Sequence, residues 1–367
     1  MLMQNVRVRF ETSRALDAIE RRLTVDPLAA GGVIDLVDAA RSVDLDGGRP
    51  AALLRLGQYI DALSRRLGDG NTALYAITER GAMSDTDFTS NERMVLRRWS
   101  DDGLIEMLPP GARVNARVRE VAHLTGVPVI SRSPLPGHPG PVYLTTGAPG
   151  NLELTLAPAT GATRTHPVLQ RYWRCPASDC PVLGRPPSGG AGQAPPALPS
   201  GAPICPRHGD RLIDSGPRPP AMMLAVRINS QVRARFPVTA VRPVVVGRAP
   251  DDQQGVTIGN WLDDESSRRV SRNHLRFELR DGMLLVTDVS TNGAAILART
   301  GPTAPPREMD LNRGEPKALG EWDEVEIYPE ITVGRADRPP ADAPTGSAPA
   351  SVMADAPTIA LRLPPPR

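Results

Sequence analysis

The sequence predicts a multidomain chain. An N-terminal α/β unit on a mostly parallel sheet is followed by a small central segment closed by cysteine and histidine, and then by a C-terminal all-β sandwich. Over residues 1–134, short apolar strands alternate with amphipathic helices, the pattern of strands joined by helical crossovers. All 3 cysteines of the chain fall between residues 171 and 213. Over 222–335, short runs of alternating hydrophobicity are separated by Gly, Asp and Asn turns and show no helical period.

In the first unit, Val6–Phe10 alternates as a strand, and residues 13–23 read as a helix with Ser13 as its N-cap. Residues 32–36 read as a buried strand. Over 50–67, Leu53, Leu56, Ile60, Leu63 and Leu67 line one face of an amphipathic helix. Residues 73–78 form a buried strand and 90–99 a helix. The latter has only a weak capping signal at Ser90, because position 93 is Arg rather than Glu or Gln. A short apolar run, 104–108, stops at Pro109-Pro110. A helix over 113–125 and a strand over 127–131 complete the unit. His123 shares its helix with Val118, Val121 and Leu124 and reads as a partly exposed helical side chain. Residues 135–170 are expected to be a connector carrying a hairpin, 142–146 against 152–156. Within 171–213, the Pro/Gly/Ser-rich loop 185–203 has no apolar period and is expected to be disordered. The Pro/Ala-rich tail 336–367 holds too few large apolar residues to fold.

Composition agrees with several small cores joined by linkers. The 367 residues include 40 Pro and 33 Gly, which must concentrate outside helices and central strands. The formal net charge of +2 produces no global field for nucleic acid or for a membrane surface. The only lysine is Lys317, so the arginine content reflects a GC-rich bacterial genome rather than a partner. No apolar run approaches the roughly 20 residues of a membrane span, and the N-terminus lacks a basic-then-apolar leader pattern. An odd cysteine count suits a reducing compartment, and a cytoplasmic protein is expected.

Three blocks stand out in the C-terminal unit: Val244-Val245-Val246-Gly247-Arg248, Val270-Ser271-Arg272-Asn273-His274, and Asp288-Val289-Ser290-Thr291-Asn292-Gly293. Each ends an alternating apolar run, so the three loops can converge at one end of a sandwich. A guanidinium such as that of Arg248 offers paired charge-assisted hydrogen bonds to a phosphate. The Ser271 hydroxyl adds a neutral donor, Asn292 carries a donor and an acceptor for an extended peptide, and Gly247 and Gly293 permit tight turns. The order Gly-Arg, Ser-Arg-x-His, Asp-x-Ser-x-Asn-Gly resembles the signature of the fork-head-associated (FHA) family, whose members recognise phosphothreonine through arginine. The resemblance implies that Arg248 and Ser271 hold the phosphate while Arg272 assists or faces the peptide. It implies that Thr291 and Asn292 shape the threonine-methyl pocket and bind peptide backbone, and that Gly247, His274, Asp288 and Gly293 are structural. It further implies an adaptor that binds a threonine-phosphorylated kinase or kinase substrate, without enzymatic activity of its own. Two departures are Ala294, where the family commonly has Thr, and the long insert 249–269. The insert carries Asp263-Asp264-Glu265, acids expected to favour basic peptides.

Cys175 and Cys180 are separated by four residues, and Cys205 and His208 by two. Two such knuckles match the spacing of closed Cys3His zinc-ribbon-like sites, and four protein ligands leave no open position, so a structural Zn2+ is expected. The long loop between the knuckles is tolerated because closure entropy grows only logarithmically with length.

In the first unit, residues 32–38, 74–78, 104–111 and 115–133 resemble the PIN/NYN nuclease fold, whose carboxylates hold divalent metal for phosphodiester cleavage. Asp35 and Glu79 stand at strand ends, with Asp38 and Asp85 further off. However, Asn115 stands where that family has Asp, and Ser131-Arg132 replaces its terminal polar pair. Loss of catalysis is therefore expected. The alternative is a phospho-regulated nuclease or RNA-binding protein, which three converging carboxylates would favour.

Overall fold

The structure is a computed structural model that describes residues 12–148, 151–157, 166–184, 192–253, 255–301, 304–336 and 351–353. The strand expected at Val6–Phe10 lies outside these residues. Residues 12–20 form a helix (α1) that already includes Ser13, so Ser13 is not its cap.

The N-terminal unit runs β1 (Ala30–Asp35), α2 (Leu36–Ala40), α3 (Arg55–Leu67), β2 (Ala73–Glu79), α4 (Ser90–Asp101), β3 (Glu106–Leu108), α5 (Val114–Thr125) and β4 (Val129–Ser131). Two further strands, β5 (Val142–Ala148) and β6 (Asn151–Ala157), complete its sheet in the order β3-β2-β1-β4-β5-β6. The first five strands are parallel and β6 is antiparallel. The hairpin expected to be a connector is therefore part of this sheet. Val129, Ile130 and Ser131 present an open parallel edge, and Val142, Tyr143 and Leu144 pair with it.

Helices cover both faces of the sheet, which is why its strands read as continuous apolar runs. Successive residues alternate between two cores: Ile34, Leu74 and Ala76 face α1, α3 and α4, while Val33, Tyr75 and Ile77 face α5. The cap of α4 sits one residue before the expected Ser90. Thr89 accepts from Glu92 N at 3.2 Å and Glu92 returns to Thr89 N at 3.0 Å, a complete capping box.

Residues 192–203, expected to be disordered, are ordered against α5. Arg117, buried, spans Glu106 at 2.6 and 3.1 Å and donates to the carbonyls of Pro195 and Pro196 at 2.6 and 3.1 Å. Tyr75 OH donates to the same Glu106 carboxylate. Burial alone would lower the Arg117 pKa, but Glu106 outweighs it and holds the guanidinium above its ordinary value. The loop's lack of side-chain periodicity is offset by this satisfaction of its backbone carbonyls. β7 (Arg171–Arg174) and β8 (Ile213–Pro217) pair antiparallel at the base of the two knuckles.

The C-terminal sandwich contains β9 (Ala221–Ile228), β10 (Gln231–Thr239), β11 (Val244–Gly247), β12 (Val256–Thr257), α6 (Asp264–Arg269), β13 (Leu275–Arg280) and β14 (Met283–Asp288). It continues through β15 (Ala294–Ala298), β16 (Arg307–Leu311), β17 (Lys317–Ala318), β18 (Glu324–Tyr328) and β19 (Ile331–Arg335). A six-stranded sheet, β10-β9-β19-β18-β15-β16, packs on a five-stranded one, β12-β11-β13-β14-β17. Phe236 of the first meets Phe277 of the second with ring centroids 6.1 Å apart, inside a core of Leu224, Val246, Leu275, Val286 and Val325. Asp69, fully buried at the end of α3, accepts from Arg235 of β10 at 2.5 Å and joins this sandwich to the α/β unit.

The tail is not uniformly without structure. Ser351–Met353 lies on the α/β unit, and Val352 belongs to the core of α1 and α3.

Candidate functional site

The three sequence blocks meet at one end of the sandwich, and backbone hydrogen bonds explain how. A Cβ on Gly247 would stand 2.0 Å from the Arg272 carbonyl oxygen. Only glycine lets β11 run this close, and the approach lets Arg248 N bond Ser271 O at 2.9 Å. On the other side, Ile258 N and Gly259 N of the insert bond Gly247 O and Arg248 O at 2.9 and 3.1 Å. The Arg248 backbone is thus held from both flanks while its side chain is exposed. Among the described residues its guanidinium has no ion-pair partner.

Ser271 and Thr291 join the second and third blocks. Their hydroxyl oxygens are 3.1 Å apart, and Thr291 N donates to Ser271 Oγ at 3.1 Å. Asn292 Nδ2 donates to Arg269 O at 2.5 Å. In the third block, Asp288 Oδ1 accepts from Ser290 N at 2.7 Å, and Ser290 Oγ accepts from Gly293 N at 2.9 Å. Gly293 has φ +85°, which favours glycine.

His274 bolts two of the loops together from beneath. Its Nδ1 accepts from Ser271 N at 3.1 Å and its Nε2 meets Gly293 O at 3.0 Å, so the proton sits on Nε2. Burial pushes its pKa below the ordinary value, against smaller opposing effects of Gly293 O and Asp288. A lowered folded-state pKa contributes stability that is present above the unfolded-state value of about 6.5 and lost as pH falls below it. The expected outcome is that the stability advantage of wild type over His274→Gln, from urea unfolding, shrinks between pH 7.5 and pH 5.5. A constant gap would contradict the neutral, doubly bonded imidazole.

Arg272 is engaged rather than free. It pairs with Asp251 at 2.5 Å, and Asn273 Nδ2 donates to the other oxygen of Asp251 at 2.8 Å. The sequence reading missed Asp251, and no pattern in the three blocks points to it. It also passed over Ser290, whose place three residues before Gly293 is the available signal. Two of the three acids 263–265 have partners. Asp263 caps α6 by accepting from Ser266 N at 2.7 Å, and Glu265 accepts from Tyr328 OH at 3.1 Å. Taken together, these loops offer an exposed guanidinium beside two hydroxyls and an amide, a set suited to a phosphate oxyanion.

The second site is the cysteine–histidine cluster. Ligand atoms of Cys175, Cys180, Cys205 and His208 all lie within 4.8 Å of one another. His208 Nδ1 is 3.4 Å from Cys175 Sγ and 3.6 Å from Cys205 Sγ, and Cys180 Sγ is 3.9 Å from Cys205 Sγ. Metal–sulfur bonds of about 2.3 Å and metal–nitrogen bonds of about 2.0–2.1 Å in a tetrahedron give ligand separations of about 3.5–3.8 Å, so the donor set fits a tetrahedral ion. Backbone N–H groups of Val182 and Leu183 point at Cys180, and those of Arg207 and His208 at Cys205. Such bonds orient metal-binding thiolates. A hydrogen bond from Cys205 draws the Cys180 thiol down to about 5, while Cys205 itself is pushed up. These four residues can hold a metal.

The strand-end acids of the α/β unit are otherwise committed. Asp35 caps α2 by accepting from Val37 N and Asp38 N at 3.1 Å, and burial raises its pKa, with Asp38 and Glu79 adding to the effect. Glu79 accepts from Gly111 N at 2.7 Å. Asp85 pairs with Arg41 at 2.6 Å, and Arg132 with Asp44 at 2.8 Å. Among the described residues, the cysteine–histidine cluster is the only gathering of three or more His, Cys, Asp or Glu ligands of this kind.

No protein-family model matches the chain, and no curated protein matches it. Solved structures that it is similar to include FHA domains. The MEK1 FHA domain is 20% identical, with 31% of this chain and 86% of that chain covered and a TM-score of 0.24. The FHA domain of human APLF, in complex with an XRCC1 bisphospho peptide, is 18% identical, covering 31% and 97%, with a TM-score of 0.23. An FHA domain from Chlamydia trachomatis is 17% identical, covering 31% and 94%, with a TM-score of 0.22.

Proposed function

We propose that the chain is a non-enzymatic adaptor whose C-terminal FHA-type sandwich, residues 222–335, docks on a phosphothreonine of a partner protein, a Ser/Thr kinase or its substrate. The observation that carries this is the exposed Arg248, without an ion-pair partner among the described residues, whose backbone is bonded to Ser271, the residue that shares a hydroxyl pair with Thr291. Arg248 and Ser271 take the phosphate, and Thr291 and Asn292 bind the threonine methyl and the peptide backbone. Arg272, held by Asp251, faces the peptide at the rim. Gly247, His274, Asp288 and Gly293 fix the loops. Zn2+ at Cys175, Cys180, Cys205 and His208 is structural and closes residues 171–213. The adaptor acts in the cytoplasm, and among the described residues no helix is long and apolar enough to cross a membrane.

Titrating a phosphothreonine peptide library and its unphosphorylated counterpart onto the full chain tests the proposal. Binding is expected only for the phosphorylated set, more weakly with phosphoserine. Silence of the library at millimolar concentration would overturn it. The same chain, with magnesium or manganese, is expected to leave single-stranded RNA and DNA intact. Metal-dependent cleavage needs an ion held between carboxylates, and Asp35 and Glu79 are already spent on backbone N–H groups. Cleavage that disappears in Asp35→Asn would favour the phospho-regulated nuclease instead.

A further inference from the structure

The tail segment Ser351–Met353 binds a buried carboxylate of α3, Asp61, which also lies near the charge of Arg22. Asp61 is 8% exposed and lies on the same side of α3 as Gly57, next to the apolar stripe of Leu56, Ile60 and Leu63. A carboxylate buried this far requires hydrogen-bond donors, and the tail supplies them. Val352 N donates to Asp61 Oδ1 at 2.8 Å and Ser351 Oγ donates to Asp61 Oδ2. One helical turn earlier stands Gly57, in the interior of α3, where glycine is unfavourable. A Cβ there would lie 2.3 Å from Met353 Sδ. Val352, 8% exposed, fills the space between these two positions, and Met353 N donates to Ser351 Oγ at 3.0 Å, which fixes the turn of the segment.

We infer that the face of α3 formed by Gly57 and Asp61, with Ile19 of α1, is a docking site for a short peptide of the pattern Ser–aliphatic–Met. Its occupant is the chain's own Ser351–Met353, bound in cis. Bound there, the segment straps the C-terminal tail to the α/β unit. A hydroxyl and an amide on one carboxylate select serine at the first position. The absent side chain at Gly57 selects a long, flexible thioether at the third. A phosphoryl group on the Ser351 hydroxyl would remove its donor and set a dianion against Asp61, so the same contact excludes phosphoserine.

Hydrogen exchange of the full chain tests the strap. The amide of Val352 is expected to exchange at least ~10-fold faster in Asp61→Ala and in Gly57→Leu than in wild type, because its acceptor or its seat is lost. Val352→Asp, which leaves α3 untouched, is expected to free the neighbouring tail amides equally, so a folding defect in the α3 variants cannot mimic the result. A synthetic peptide of residues 347–357 is then expected to bind the Val352→Asp chain, and to do so at least ~10-fold more weakly when phosphorylated at Ser351. Equal exchange in wild type and all three variants would overturn the site. Protection of Val352 that rises with protein concentration would overturn the cis assignment and make the occupant the tail of a second copy.

Discussion

Replacing Arg248 with alanine is expected to lower the affinity of the chain for a phosphothreonine peptide by at least about tenfold and to leave the thermal unfolding of the sandwich unchanged. A charge-assisted hydrogen bond to phosphate contributes about 1.5–3 kcal/mol, and about 1.4 kcal/mol is a factor of ten in affinity. Loss of even one bond therefore reaches the tenfold mark, and loss of a bidentate pair exceeds it. The fold is indifferent because the residue is held by its backbone, through Arg248 N to Ser271 O and Gly259 N to Arg248 O, while its side chain is exposed. Arg248→Lys keeps the charge but not the planar fork, so it is expected to recover only part of the loss. Calorimetric titration with a phosphothreonine peptide, paired with circular dichroism melting, provides both readings. Binding by Arg248→Ala equal to wild type would remove Arg248 from the phosphate and with it the adaptor reading.

Cys205→Ser is expected to lose about one zinc per chain by elemental analysis and to open residues 171–213 to proteases. The core beneath the knuckles contains little besides Cys175, Cys180, Cys205, Val182, Leu183, Ala194 and Leu212. So small an apolar cluster cannot offset the ordering of its loops, and binding of a structural ion supplies about 10–16 kcal/mol in comparable sites. The sandwich has its own core and is expected to keep its phosphopeptide affinity in this variant. Wild-type protein that has never met a chelator and still contains no zinc would defeat the assignment.

The convergence of the three blocks was legible in the chain because each ends or begins a strand. Gly293 answers a local need for a positive φ, while Gly247 and His274 serve contacts between blocks, which strand ends bring together once a sandwich forms. Asp251 was not legible, because its hold on Arg272 and Asn273 depends on how the insert folds back. The cysteine–histidine cluster was legible from spacing alone. The hairpin of β5 and β6 was seen, but its attachment to β4 was not, since nothing within a strand names its parallel neighbour. Order in residues 192–203 and 351–353 was missed for a shared reason. The first is poor in large apolar side chains and the second is too short to show a period, and both are held through backbone groups by a buried charge elsewhere, Arg117 in one case and Asp61 in the other.

The buried Arg117 has a consequence for the order in which the chain is made. Tyr75 and Glu106 precede it in synthesis, but the carbonyls of Pro195 and Pro196 emerge nearly 80 residues later, at separations of 78 and 79. Until then the guanidinium has the carboxylates of Glu106 and Glu120, and water takes its two remaining N–H groups. A nascent chain that ends after β6 thus displays a finished sheet with an unfinished flank on α5. The α/β unit is complete only when the loop between the knuckles has left the ribosome and laid its proline carbonyls across that helix.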